Sequence, residues 1–515
     1  MDFKNWSVIE LGTYALGLFL AVGFLVWSHR FWSTKFVLKG VMRKKMPDGA
    51  DASGPRMLAV LNAWDLTFLG VGAIIGTGIF VLSGLAAATM SGPAVILSFV
   101  VSGVVCGFAA LAYAELAASV GGCGSAYGYS YAAFGEFIAW IIGWDLLLEY
   151  GVSVAAVANG WSGYFYGALH ALGFTVPEML TRGPFATDHM TGAPTPGLIN
   201  TAAIAIILIL MVLLIIGVKQ SARFNNFMVI VKLLTIGVFL FVATGHVDTN
   251  NWTDFMPFGW YHMNAKGDPV GIFAGASLVF FAYVGFDAVS TAVEEAKNPK
   301  RDVPIGILAS LGICTVIYII VAAVLTGIVD YKTLGTSSPA SDALQAIGLK
   351  TAAAIVSTGV VMGLTAVMLV LYYGLTRIVV AMSRDGLLPK LFGVVNEKTH
   401  TPVKTTVICG CIIALMAGIV PLDDLALMVN VGTLAAFVLV CIGVVVMRVT
   451  QPKLKRPFET PGGLTVPVLG AILCFALMKF LPWITIIRFV VWLIVGLVIY
   501  FEYSVRHSRL APKKA

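Results

Sequence analysis

The chain has 515 residues, of which 59% are hydrophobic and only 11% are charged, and its mean hydropathy is +0.92. A soluble domain carries about 25% charged residues, so this composition excludes an ordinary soluble protein and indicates a chain that crosses a membrane many times. The net charge of +7 reflects membrane topology, and we expect no nucleic-acid partner.

Thirteen apolar runs reach the length that a bilayer-crossing helix needs, about 20 residues. They lie near 8–27, 66–88, 93–119, 134–168, 197–217, 222–247, 270–293, 305–329, 351–382, 404–420, 425–447, 465–481 and 483–503. The run at 8–27 has its basic residues after it, unlike a signal peptide. We interpret it as an extra helix outside a core of twelve spans. It would serve as a membrane anchor, or contact a small membrane partner or a second copy of the chain.

Lysine and arginine are distributed unevenly between alternate loops. The side that begins with the loop at 28–64 carries 24 of them, and the opposite side carries five. Because cytoplasmic loops are enriched in these residues, the difference predicts an N-terminus outside the cell and a C-terminus in the cytoplasm.

The first core span contains the glycine-rich run GVGAIIGTGIF at 70–80. Each glycine weakens a helix by about 1 kcal/mol, although lipid otherwise enforces helix because unpaired backbone is costly there. A break at this depth is tolerated where it lines a cavity, and its freed N–H and C=O groups can then bind a zwitterion or an ion. The alternative is close helix packing, since GAIIG is itself a GxxxG motif.

A second interruption, SLVFFAYVGFDAVSTAVEE at 277–295, lies in the sixth core span. It comes five spans after the first, so the two segments run in opposite directions. Interrupted helices at corresponding positions of oppositely oriented halves predict a transporter site.

A zwitterionic solute would bring a carboxylate and an ammonium group to these breaks. Backbone N–H groups at a helix start lack partners within the helix and favour an anion. Gly76, Thr77 and Gly78 would supply them, together with the Thr77 hydroxyl unless it bonds back to its own helix. Carbonyl groups released by the breaks would accept from the ammonium, at Ile74, Ile75, Phe281, Ala282 and Val284.

Five segments resemble the amino acid–polyamine–organocation superfamily, in particular its bacterial branch similar to the cationic amino acid transporters. They are GAIIGTGIF, GSAYGYSYAAFGEFIAWIIGWDLLLEYGV at 124–152, SARFNNFMVIVK at 221–232, FFAYVGFDAVSTAVEEAKNPKRDVPIGI at 280–307 and SRDGLLP at 383–389. The resemblance covers about residues 60 to 505. It implies an all-α polytopic membrane protein with the five-plus-five inverted repeat of the leucine-transporter fold.

With this resemblance we divide the chain into six parts. They are an extra N-terminal transmembrane helix (1–28), a basic cytoplasmic linker (29–60), the two inverted repeats (61–250 and 268–450), the last two spans (465–505) and a cytoplasmic tail (506–515). The resemblance implies secondary active amino acid transport by alternating access in the plasma membrane. We expect free L-amino acids, protons and membrane lipid as partners, and no enzymatic activity, cofactor or metal.

The resemblance also implies roles for two side chains. It favours Phe281 as a gate above the substrate, with ordinary packing as the alternative. It aligns Leu371 with a position that lines the side-chain pocket, where a branched apolar residue favours small neutral amino acids such as alanine. The family name favours lysine, arginine or ornithine instead, and an exchanger of these cationic amino acids is the alternative.

Ionisable residues at membrane depth are functional candidates. Lys232 lies about 16 Å into the fifth core span, where burial disfavours the charged amine. In sodium-coupled proteins of the fold that the resemblance implies, a sodium ion sits near this position. We therefore predict sodium-independent, proton-coupled transport, with a static structural clamp as the alternative.

Four carboxylates are the other ionisable candidates. Glu149 and Asp287 are further candidates for proton coupling, with a structural carboxylate as the alternative for each, and Glu149 is also a candidate to face a cationic substrate. We interpret Asp145 as structural. Glu115, near the inner end of the second core span, is predicted as a cytoplasmic gate or as a loop-pairing residue with Arg223.

Overall fold

The computed structural model describes residues 61–511, except for 121–125, 172, 188–194, 196, 217–221, 265–266, 293–294, 398 and 400. The N-terminal helix and the linker that we predict before residue 61 lie outside the described residues.

The described chain is mostly helical. In chain order its α-helices are α1 (Ala63–Ile74), α2 (Ser83–Ala86), α3 (Val95–Val120), α4 (Ala126–Ala133), α5 (Glu136–Ala171), α6 (Thr201–Ile216), α7 (Ala222–Ala243), α8 (Ile272–Val279), α9 (Ala288–Thr291), α10 (Pro299–Ile328), α11 (Pro339–Ala346), α12 (Lys350–Arg384), α13 (Val403–Ile419), α14 (Leu422–Thr450), α15 (Thr465–Met478), α16 (Trp483–Ile499) and α17 (Val505–His507). Strands β1 (His262–Met263) and β2 (Pro269–Val270) pair antiparallel, with His262 opposite Val270.

Shorter helical turns connect or extend these helices. π-helical segments lie at Gly78–Leu82, Ala87–Ser91 and Tyr500–Ser504. 3₁₀ turns lie at Gly92–Ala94, Glu178–Leu180, Thr244–His246, Thr249–Trp252, Phe280–Tyr283, Tyr331–Leu334 and Lys390–Gly393.

Eight helical stretches in the described ranges are long and apolar enough to cross a membrane, by length and composition. They are Gly78–Val120, Glu136–His170, Asn226–His246, Ile272–Ser290, Pro299–Ile328, Lys350–Arg384, Leu422–Thr450 and Trp483–His507, and the shorter apolar helices are α1, α6, α13 and α15. Each span that we predict from 66–88 onward falls on one or two of these segments. The short helices α4 and α11 have no counterpart in the prediction. The chain is an all-α polytopic membrane protein.

Local sequence explains where α1 begins. Asn62 Oδ1 accepts hydrogen bonds from the backbone N–H groups of Trp64 and Asp65, and Asp65 Oδ2 accepts from the Asn62 N–H at 3.0 Å. This capping box satisfies donors that a helix start leaves free. Leu61 pairs with the segment before α10, since its N–H donates to the Glu295 carbonyl at 2.9 Å. The start of α1 is thereby attached beside α10.

Small residues let α1 and α10 lie against each other. A Cβ added to Gly70 would be 2.4 Å from Oγ of Ser310, and one added to Gly306 would be 2.8 Å from Cβ of Leu66. Van der Waals contact between backbones is a main source of helix association in lipid. This part of the glycine-rich run therefore serves helix packing.

Candidate functional site

The first predicted break lies in the glycine-rich run. Helix α1 ends at Ile74, and Ile75 takes an extended conformation with φ −71° and ψ 101°. Helical structure resumes with the π-helical segment that starts at Gly78. The first N–H groups of the resumed helix have no partner within it, so donors are concentrated at this break.

The second predicted break follows α8. The 3₁₀ turn Phe280–Tyr283 comes next, Val284 is extended with ψ 132°, and Gly285 has φ +109° before α9 begins. A positive φ of this size favours glycine. A Cβ added to Gly285 would lie 3.0 Å from the Ala73 carbonyl oxygen, so the second break passes directly beside the first.

The two breaks also touch at Gly78. A Cβ added there would lie 2.3 Å from Cα of Ala282, which is backbone and cannot move aside alone. The Tyr318 hydroxyl of α10 lies 2.9 Å from both the Ile74 and the Ala282 carbonyl oxygens, which share its single O–H donor. Because a carbonyl oxygen has two lone pairs, both carbonyls keep acceptor capacity for a second donor.

A small cavity lies at this crossing, and the centre of a water molecule can occupy about 20 Å³ of it. Its lining residues are Ala73, Ile74, Gly76, Thr77, Gly78, Ser153, Val157, Phe281, Val284, Val367 and Leu371. Ile75 and Ala282, whose carbonyls we predict as acceptors in the site, are not on its wall. The other seven predicted substrate-binding residues are brought together there.

Two hydroxyl groups on the cavity wall have no hydrogen-bond partner among the described residues. They are Thr77 Oγ1 and Ser153 Oγ, both almost fully buried. Thr77 does not bond back to its own helix, although a helical threonine commonly does. Its methyl group lies against Gly160 of α5, where an added Cβ would be 2.3 Å away. Packing therefore holds Thr77 beside the cavity.

Lys232 lies on α7, buried, next to the first break. Its ammonium donates to the Gly72 carbonyl at 2.6 Å, and its aliphatic stem passes Gly363 of α12. The side chain thus connects α7, α1 and α12. Gly72, the residue that it holds, directly precedes the cavity-lining Ala73, but Lys232 itself is not among the lining residues.

Three buried carboxyl groups lie apart from the cavity wall. Asp145 and Glu149 are one turn apart on α5, and Asp287 follows the second break. One oxygen of Asp145 and one of Asp287 have no partner among the residues that the structure describes. Asp145, which we interpret from sequence as structural, is therefore only partly satisfied. Glu149 does not face the cavity, so it is not positioned beside a substrate there.

Glu115 lies in a cluster that we call the Glu115 cluster: Glu115, Arg448, Arg456 and Thr460. Arg448 donates to both oxygens of Glu115, at 2.8 and 2.6 Å, and the Thr460 N–H donates at 2.8 Å. Arg456 also caps the end of α14 through the Met447 and Gln451 carbonyls. The side chain of Arg223, the partner that we predict, lies outside the described residues. The pairing observed for Glu115 is with the end of α14 and the segment after it.

Sequence reasoning missed four residues of the cavity wall, Ala73, Ser153, Val157 and Val367, and it missed Tyr318. Ser153 and Val157 share one face of α5, one turn apart, and Val367 lies one turn before Leu371 on α12. The helical period from Leu371 was a usable indication for Val367. Nothing local distinguishes Ser153 or Tyr318 from other polar residues of apolar helices.

Comparison with known proteins gives a consistent match. The amino acid permease family matches residues 61–507. The branched-chain amino acid permease BcaP of Bacillus subtilis is 48% identical over 478 residues, which cover 92% of this chain and 100% of the relative. The methylthioribose transporter of the same organism is 44% identical over 475 residues, again 92% and 100%. The vacuolar cationic amino acid transporter 4 of Arabidopsis thaliana is 36% identical over 425 residues, 81% of this chain and 68% of the relative.

These matches confirm the resemblance that the five sequence segments indicate. The family match covers both helix breaks and the cavity between them. The chain belongs to the amino acid permease family of the amino acid–polyamine–organocation superfamily, and it is a multi-pass membrane transporter rather than an enzyme.

Proposed function

We propose that the protein imports neutral L-amino acids with small or branched aliphatic side chains, by proton-coupled, sodium-independent alternating access. The observation that carries this proposal is the cavity between the two helix breaks. Its wall has backbone groups of the two breaks and the Thr77 hydroxyl on one side, apolar side chains and the Ser153 hydroxyl elsewhere, and none of its described lining residues is ionisable.

The broken helices suit the main-chain groups of an amino acid. N–H groups at Gly76, Thr77 and Gly78 would hold the carboxylate, because a helix start concentrates free donors and positive partial charge. The carbonyls at Ile74 and the second break would accept from the ammonium. Since the cavity is smaller than an amino acid, substrate entry requires wall side chains such as Phe281 to move, which suits its proposed role as the gate.

The remaining wall defines the side chain of the substrate. Val157, Val367 and Leu371 are apolar, and no described lining residue is a carboxylate that would pair with a guanidinium or ammonium. The likeness to a branched-chain amino acid permease supports the same choice. The likeness to cationic amino acid transporters supports the alternative, an exchanger for lysine, arginine or ornithine. The likeness to a methylthioribose transporter adds an uncharged thiosugar as a second candidate.

We assign proton coupling to Lys232, supported by Glu149 and Asp287. The Lys232 ammonium holds a carbonyl of α1 one turn below the break, so gain or loss of its proton would change how α1 sits. Buried ionisable groups without full partners are where a proton can be bound and released.

The proposal includes the architecture and orientation. The repeats would span 61–250 and 268–450, and the last two spans would lie within 465–505. With the helix at 8–27, the chain would have an outer N-terminus and a cytoplasmic C-terminus in the plasma membrane. Labelling of single cysteines introduced at 3 and 510 in intact cells tests this orientation: only the first should react with an impermeant reagent.

Uptake into proteoliposomes tests the function. Sodium-free vesicles with an acidic exterior should accumulate valine and alanine, and a protonophore should abolish the accumulation. A strict sodium requirement would overturn the coupling. Uptake of arginine that is trans-stimulated by internal lysine, without valine uptake, would favour the exchanger, and uptake of methylthioribose alone would favour the thiosugar.

A further inference from the structure

Ser153 is an unexplained polar residue on the cavity wall. It lies near the middle of α5 and is 1% exposed, yet its hydroxyl has no hydrogen-bond partner among the described residues. Of the described lining residues that come from α5 and α12, it alone is polar, the others being Val157, Val367 and Leu371.

Other hydroxyls in the helices show what Ser153 lacks. Ser83 donates to the Ile79 carbonyl at 2.5 Å, and Thr235 donates to the Val231 carbonyl at 2.8 Å. Such a bond to the carbonyl four residues earlier is the ordinary way for a helical hydroxyl to be satisfied in an apolar environment. A buried hydroxyl that makes none is unfavourable, and each such group in a native structure calls for an explanation.

The geometry of the site indicates which part of a substrate would meet Ser153. If the carboxylate and ammonium bind the two helix breaks, as the proposed function holds, the side chain points at the opposite wall, formed by α5 and α12. That wall offers apolar surface and one hydroxyl. Thr77, the other unpartnered hydroxyl, lies in the first break, beside the N–H groups that we propose to bind the substrate carboxylate.

We propose that Ser153 hydrogen-bonds the hydroxyl of a hydroxylated aliphatic side chain, so that the site accepts threonine and serine together with valine and alanine. Threonine and valine have almost the same shape and differ by a hydroxyl in place of a methyl group. A wholly apolar pocket would bind valine better, because burying a hydroxyl without a partner is unfavourable. Ser153 removes this penalty for threonine.

The test compares uptake of threonine and valine by wild type, Ser153→Ala and the control Ser83→Ala, whose hydroxyl bonds only within its own helix and is not on the cavity wall. Ser153→Ala should lower the ratio of threonine to valine transport efficiency about tenfold, the equivalent of one hydrogen bond. The change should appear mainly as a higher KM for threonine, with a smaller effect on the KM for valine. Ser83→Ala should leave the ratio unchanged.

Valine uptake in the same Ser153→Ala preparation shows that the variant is folded. An unchanged ratio would overturn the proposal, as would equal loss of both substrates at normal protein abundance, since the hydroxyl would then serve every substrate alike. If wild type transports neither valine nor alanine, the proposed function fails. If it transports valine and the ratio does not move, only the role of Ser153 fails.

Discussion

Buried polar groups in two regions of the molecule are treated in opposite ways. In the Glu115 cluster, both carboxylate oxygens of Glu115 accept hydrogen bonds, from Arg448 and from the Thr460 N–H. At the helix breaks and on the cavity wall, Thr77, Ser153 and Asp287 each leave a buried oxygen without a partner among the described residues.

This difference separates structural polarity from functional polarity. An unsatisfied buried polar group costs about 1–3 kcal/mol. A fold therefore retains several such groups together only where a bound ligand or proton supplies the missing hydrogen bonds. The Glu115 cluster is complete by itself and ties the segment after α14 to α3. We propose that the unpartnered groups at the breaks and on the cavity wall bind a substrate or a proton.

Changing Gly78 should have the largest effect, because it is where the two breaks touch. A valine there would place its Cβ 2.3 Å from the Ala282 backbone, and relieving such overpacking costs about 1–3 kcal/mol or more. We expect Gly78→Val to abolish substrate uptake and binding. Gly107→Ala is the matched control, since an added Cβ at Gly107 meets nothing within 4 Å. Normal uptake by Gly78→Val would contradict a close crossing of the breaks.

Changing Glu115 should lower stability rather than alter selectivity. Glu115→Gln removes the buried carboxylate that pairs with Arg448 and Arg456. Breaking a buried ion pair costs about 3–5 kcal/mol, and partial exposure of Arg448 reduces this to about 3 kcal/mol. The thermal midpoint of the purified protein should fall. Asp424→Asn breaks the half-exposed pair with Arg488 (2.9 Å) and should cost less than about 1 kcal/mol. Equal midpoints for the two variants would contradict a structural role for the Glu115 cluster.

Changing Lys232 tests whether the centre binds a proton. A gradient of one pH unit can support about tenfold accumulation for one coupled proton. Lys232→Met should lose this accumulation while still exchanging internal for external substrate, because the cavity wall itself is intact. Lys479→Met, at an exposed lysine after α15, should accumulate normally. Gradient-driven accumulation by Lys232→Met would place the proton site elsewhere.

Changing Leu371 should have the smallest effect, a shift in substrate profile. Leu371→Ser enlarges the apolar wall and adds a hydroxyl, so arginine uptake relative to valine should rise by about three- to tenfold. Competition against labelled valine measures this shift. Ile355→Ser, at a 53%-exposed position of the same helix, should leave the profile alone, and the same profile in both variants would argue against Leu371 as a pocket residue.

Much of the fold could be predicted because lipid restricts the chain to long apolar helices. Both breaks were predictable for the same reason, since a helix rich in glycine at membrane depth conflicts with that restriction. From the sequence alone, it was not possible to say which glycines of the run serve helix packing and which serve binding. Gly70 faces Ser310 and Gly78 faces Ala282. An added Cβ at Gly76 would meet nothing closer than 3.8 Å, and Gly76 lines the cavity. Packing and binding are both present, on different glycines.

Side chains from distant helices could not be predicted. Tyr318 reaches both breaks from α10, and Ser153 faces the cavity because α5 is rotated so that its Val157 face meets α12. Helix rotation depends on which small residues lie opposite one another, as at Gly374, where an added Cβ would be 2.8 Å from Tyr150. Such pairs are hundreds of residues apart in sequence.

The sequence by itself determined the class of protein, the helices and the two breaks, because hydrophobicity, glycine content and capping act over a few neighbouring residues. Only the tertiary structure decided which polar groups are satisfied and which face the cavity, because that depends on contacts between helices. Glu115 and Ser153 are both polar residues in apolar helices, and the difference between a structural cluster and a binding wall lies wholly in what packs against them.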